Sequence, residues 1–176
     1  MKTTLLAIGT LVALGGAASA QDFNFSITNL REEADHYMAP LVIADDALSE
    51  PFLFADGYIT DDFKGAILDG DPRPLNAKIG AAYAGPIMGN RNGEGPHIAA
   101  GETAAADYFI DSPRLRFYAK GGYGENEDTV ITGTWDVTAE GGEVMLDLYD
   151  IGNDEGRREL VLVREGVARL VIKPNS

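Results

Sequence analysis

The sequence predicts an all-β fold, an antiparallel sandwich with one or two short helices inserted between its early strands. Three observations predict it. Apolar and polar residues alternate in short runs along most of the chain, the period-two signature of half-buried strands. Clusters rich in Gly, Asn and Asp separate those runs. Helical spacing is confined to residues 60–79, so the helices interrupt a sheet protein instead of alternating with its strands.

The elements follow in chain order. Residues 1–20, MKTTLLAIGTLVALGGAASA, carry Lys2, an apolar run from Leu5 to Leu14, and Ala18-Ser19-Ala20. This is the pattern of a cleaved signal peptide, with a small-x-small cleavage site. An apolar strand or a retained anchor is the alternative, but the run is short and Gly-rich for a membrane span. The exported chain is expected to begin at Gln21, and residues 21–176 to form a single domain. Phe23, Phe25 and Ile27 alternate with polar neighbours and read as the first strand. Leu41 to Ala44, after Pro40, reads as the second. Pro51 to Gly57 reads as a loop or short extended piece ending in a turn. Thr60 then offers a cap and Asp61-Asp62 suit a helix N-terminus. Phe63, Ala66 and Ile67 follow at helical spacing until Asp69-Gly70-Asp71-Pro72 stops the helix. A second short helix is expected from Pro74 to Ile79, ended by Gly80.

Residues 85–102 read as a loop, and the remainder as strands. These cover Tyr108-Phe109-Ile110, then Leu115 to Ala119, then Val130 to Val137, then Val144 to Leu148. A last pair, Leu160 to Val163 and Val167 to Ile172, is expected to form a hairpin turning at Glu165-Gly166.

Composition excludes several functions. The chain has 28 Asp+Glu against 14 Lys+Arg, a formal net charge of -14. Such a surface repels phosphate backbones and anionic membranes. The absence of Cys excludes disulfides, a thiol nucleophile and Cys-ligated zinc. Two histidines, His36 and His97, exclude a multi-His metal site within one chain. There is no Gly-x-Ser-x-Gly elbow and no phosphate loop ending in Lys-Ser/Thr. The Gly-rich 121–124 segment sits among strands, which weakens a nucleotide reading.

The chemical signal that remains is acidic. Asp128 follows Glu125-Asn126-Glu127 between two strands. Asp150 and Asp154 lie in Tyr149-Asp150-Ile151-Gly152-Asn153-Asp154 at the end of another. Carboxylates crowded in short loops repel unless a cation or protons intervene, and hard oxygen donors suit Ca2+. Solvated acidic turns are the alternative, since the spacing is not that of an EF-hand loop. His36 beside Asp35 is a general-base candidate set against an ordinary surface histidine. His97, in a Gly-Pro-His loop, has no specific role. Trp135, Phe109, Phe117 and Tyr118 read as core. Asn24-Phe25-Ser26 is a formal glycosylation acceptor within the first strand.

Several segments in order resemble a known family. They are Ile27-Thr28-Asn29-Leu30, the 38–44 segment MAPLVIA, Leu53 to Gly57, the Phe63 to Asp71 helix, Ala100-Gly101-Glu102-Thr103, Asn126-Glu127-Asp128 and Asp150 to Asp154. Together they are similar to the spondin domain in its short exported bacterial versions, over about residues 22–160. The resemblance implies a C2-like β-sandwich binding calcium through aspartates of two loops. Carried onto this sequence, the ligands are Asp128, with Glu127 as its rival, then Asp150 and Asp154. It implies no catalysis. The chain departs from animal spondin domains in having no Cys, and it is expected to form a single domain without their further modules.

The expected function is therefore an exported, non-enzymatic calcium-binding module, secreted or periplasmic. Its loop end would meet an extracellular or cell-surface partner, protein or glycan, with neither nucleic acid nor a membrane span involved. An exported hydrolase using acidic residues and a metal-free structural protein are the alternatives.

Overall fold

The computed structural model describes residues 20–32, 36–80, 86–89, 96–122, 128–152 and 159–175. Its main sheet has seven antiparallel strands. They are β1 (Gln21–Asn29), β2 (Val42–Asp45), β5 (Thr103–Ile110), β6 (Arg114–Lys120), β7 (Thr129–Asp136), β8 (Gly142–Asp150) and β9 (Val161–Pro174), in the order β2-β6-β7-β8-β9-β1-β5. Between β2 and β5 lie α1 (Asp46–Leu53), a two-residue-strand pair β3 (Phe54–Ala55) and β4 (Tyr58–Ile59), α2 (Asp61–Asp69) and α3 (Arg73–Ile79).

The sheet curls strongly on itself. In the strand order β1 and β6 are four steps apart, which is about 19 Å across a flat sheet. Yet the Phe25 ring of β1 lies 6.3 Å from the Phe117 ring of β6, and Phe23 stands edge-on to Trp135 of β7 at 5.8 Å. The concave face holds the larger core, with Phe23, Phe25, Ile27, Phe117, Ile131 and Leu170 among its buried members. Along β6, Leu115, Phe117 and Ala119 face this core, while Tyr118 faces a second one. There Phe63, Ile67, Leu75 and Ile79 of the helices pack against Tyr118, Val42 and Val130. Burial on both faces explains the nearly unbroken apolar run in β2.

The α2 boundaries follow the sequence signals. The Thr60 hydroxyl accepts the Phe63 N–H at 3.1 Å, and Gly70 closes the helix with φ 66°. Helix α3 likewise ends at Gly80, also at φ 66°.

Two expectations are corrected. Pro51 to Leu53 is helical, not loop or extended, so three helices replace one or two. The Asp45 carboxylate accepts the Leu48 N–H at 2.8 Å and starts α1, which tolerates Pro51 near its end. The final hairpin does not form. Val161–Pro174 is one strand, and both of its halves pair with β8. Leu146 faces Ala168 while Leu148 faces Arg164, so three residues of β9 oppose Asp147 alone. Gly166, at φ 61°, supplies the bulge, and its N–H donates to the Asp147 carboxylate at 2.8 Å. Among the described residues no helix is long and apolar enough to cross a membrane.

Candidate functional site

Two regions carry candidate chemistry. The first is the end of the sheet where β6, β7, β8 and β9 meet their connecting loops. Asp128 immediately precedes β7, and Asp150 is the last residue of β8. Thr129 is paired with Asp150, and the Ile151 N–H donates to the Asp128 carbonyl at 3.0 Å. The two acidic loops therefore spring from adjacent, hydrogen-bonded positions. The Asp150 carboxylate accepts the Gly152 N–H at 2.5 Å, and Gly152 turns at φ 69°. That conformation is costly for a residue with a Cβ. Asp154 and Glu127 lie outside the described residues. Among the described residues no group of three His, Cys, Asp or Glu side chains is gathered as a metal site.

A cation sits at the same end. Arg31 is 4% exposed, and its Nε donates to the Asn29 Oδ1 at 3.0 Å. One terminal nitrogen donates to the Gly121 carbonyl at 2.5 Å. The other, Nη2, has no hydrogen-bond partner among the described residues. Burial, then the neighbouring charge of Arg164, lowers its pKa to about 10. Gly121 opens the loop that leads to Asp128, and its N–H donates to the Thr129 carbonyl at 2.7 Å. Arg31 thus ties the exit of β1 to the base of that loop.

The second region is a cleft of about 520 Å3 between the α2–α3 corner and the β2–β6 side of the sheet. Its walls are mainly apolar, including Pro40, Ile67, Pro72, Pro86, Met88 and Pro96. Its polar groups come from three elements. The Tyr118 hydroxyl of β6 donates to the Asn76 side-chain oxygen of α3, and burial drives the phenol pKa up. The Lys120 ammonium donates to the Leu68 carbonyl at 2.7 Å, in the last turn of α2. That turn has no basic residue of its own, so β6 supplies the cation that its carbonyls favour. Burial lowers the His97 pKa. At the rim, Arg73 grips Asp71 in a bidentate pair at 2.7 Å on each oxygen, and that bond holds the Asp71 pKa at about 2.

The hydrolase alternative requires a pocket with a perturbed carboxylate or histidine. The cleft contains both, Asp71 held low by its bond to Arg73 and His97 lowered by burial. Sequence reading assigned His97 no role and did not single out Lys120, Asn76 or Arg73. The alternation of β6, which turns Tyr118 and Lys120 to one face, was the available signal.

The other expected residues are placed as follows. His36 is half-buried, and its carbonyl accepts the Asn29 amide at 2.8 Å; Asp35 is outside the described residues. Phe117 and Tyr118 are core, and Trp135 packs partly buried against it. Phe109 instead is 57% exposed. The Asn24 side chain donates to Asp107 at 2.8 Å. Comparison of the chain with protein-family models, curated proteins and solved structures finds no match.

Proposed function

We propose that this chain is an exported, non-enzymatic calcium-binding module of the spondin type. In this reading the curled sheet is a C2-like sandwich, and residues 1–20 are removed on export. Asp128, Asp150 and Asp154 hold Ca2+, and the ordered loop end meets an extracellular or cell-surface partner, protein or glycan. The supporting observation is the clasp between the two acidic loops, the Ile151 N–H on the Asp128 carbonyl at 3.0 Å. It holds both loop roots at a fixed spacing, the arrangement a two-loop cation site needs. The acidic excess of the chain adds long-range attraction for a divalent cation.

The test is thermal unfolding of residues 21–176 in chelator and then in 10 mM CaCl2, with MgCl2 as control. A site with a Kd of about 10⁻⁴ M, as in extracellular modules, is then at a hundredfold excess. That stabilises the fold by about 2.7 kcal/mol and raises the midpoint by about 5–10 °C for a domain of this size. Asp128→Asn and Asp150→Asn are expected to remove most of the rise. A calcium response that survives Asp150→Asn refutes the assignment, and no response to calcium or chelator favours the metal-free structural alternative.

A further inference from the structure

We propose that the outer edge of β5 takes up an extended basic segment of a partner protein as an added strand. Strand β5 ends the sheet, and among the described strands it pairs with β1 alone. Hydrogen bonding along β1 alternates between its two neighbours. The Asn29 N–H meets the Glu102 carbonyl on the β5 side, whereas the Leu30 N–H and the Asp22 carbonyl meet Val167 and Asn175 on the β9 side. The β1–β5 register is unbroken from Thr28 opposite Thr103 to Gln21 opposite Ile110. Carried along it, the alternation turns the main-chain N–H and C=O groups of Thr103, Ala105, Asp107 and Phe109 away from β1. Among the described residues these groups meet no other main chain. All four residues are exposed. The strand has no proline, lysine or bulge, the usual devices that keep an edge unpaired.

The side chains select the occupant. Phe109, 57% exposed, shares its face with Asp107 two residues back and with Asp22 directly across on β1. The Asp107 carboxylate accepts from neutral amides, Asn24 at 2.8 Å and Asn175 at 3.3 Å. Lys173, in the same row, lies on β9 across β1, two strand spacings or about 10 Å from Asp107. In a strand added beside β5, the residues opposite Asp107 and Phe109 are two apart and share that face, whichever way the strand runs. Lys or Arg at both places meets the carboxylate and the ring. A second copy of the chain fits worse. Antiparallel self-pairing about Ala106 sets Ala105 against Asp107, and about Asp107 it sets two carboxylates against each other. Both arrangements bring together chains of net charge -14, the charge that draws in a basic segment. The edge is independent of the calcium reading. Asp150 is paired with Val161 at one end of β9, whereas Asp22, opposite Phe109, is bonded to Asn175 at the other.

The experiment is a fluorescence-polarisation titration, in chelator, with three labelled peptides: TKVKVKVT, its isomer TKKKVVVT, and TEVEVEVT. The alternating lysine peptide is expected to bind saturably, one to one, at least tenfold tighter than its isomer, with the glutamate peptide silent. Ala105→Pro removes an N–H that faces the open edge and spares the β1 ladder. It is expected to weaken binding at least tenfold with the unfolding midpoint retained. If that variant does not fold, two substitutions at exposed side chains carry the test. Phe109→Ala is expected to weaken the lysine peptide several-fold, and Asp107→Lys to reverse the preference towards the glutamate peptide. Equal binding of the two lysine isomers reports bulk charge attraction and overturns the proposal. Absence of saturable binding, or unweakened binding in Ala105→Pro or Asp107→Lys, overturns it too. A dimer seen in sedimentation and abolished by Ala105→Pro would assign the edge to a second copy instead.

Discussion

Asp46 shows how one side chain can carry an element that sequence patterning misses. It is 8% exposed, and its oxygens meet the Arg116 Nε at 2.7 Å and the Arg114 Nε at 3.0 Å. Arg116 in turn lies over the Phe54 ring, 5.2 Å from its centroid. Asp46→Ala would leave the mostly buried Arg116 guanidinium to its longer contact with Glu50 at 3.8 Å, which costs more than the net value of the lost pair. A loss of about 2–3 kcal/mol is expected in urea unfolding, by analogy with half-buried charged hydrogen bonds. Arg73→Ala is the contrast. Its pair with Asp71 is as short, but the Arg73 side chain is 88% exposed, and no measurable loss is expected. A comparable effect of the two substitutions would refute this weighting by burial. The same distinction explains which candidate site residues were legible. Asp150 and Gly152 announce themselves by local spacing, whereas Lys120 and Asn76 line one cleft only because α2 and α3 fold back over β6.

Elements were legible where their signals are local. Thr60 and Gly70 bracket α2, and Gly80 ends α3, as the residue types require. The β9 error has a physical cause too. Glu165-Gly166 carries the composition of a hairpin turn, and only the partner decides between a turn and a bulge. Asp147 on β8 decides it by accepting the Gly166 N–H, so the strand bends over an anchored point and continues. Gly166→Ala tests this directly. At φ 61° an added Cβ is intrinsically strained, and it would lie 3.1 Å from the flexible end of Met145. The expected cost is about 1–2 kcal/mol, with the pairing of Val161–Val163 to β8 retained in amide exchange. Protection of Val161–Val163 lost selectively in the variant would mean that the bulge glycine sets the register. Unaltered stability would refute the positive-φ requirement.

At the scale of the molecule, what closes the fold and what the surface charge does are separate matters. Closure rests on contacts such as Phe25 with Phe117 and Trp135, about ninety and more residues apart in the chain, and alternation within a strand says nothing of them. Alternation foretold the strands, but not how the sheet curls. The charge of -14 was legible from composition, and it opposes the compact state by self-repulsion. Screening relieves part of that opposition. At pH 7, in chelator, the unfolding midpoint is therefore expected to rise by several degrees between 10 and 500 mM NaCl. Near the sequence pI of about 4.4, carboxylate protonation brings the net charge to zero, and the same salt step should produce little change. Because calcium salts also screen, the cation response must be read at constant ionic strength. A midpoint that rises with CaCl2 but not with matched NaCl or MgCl2 reports a site. A rise shared by all three salts reports only the relief of repulsion. Equal NaCl effects at both pH values would remove net charge as the cause.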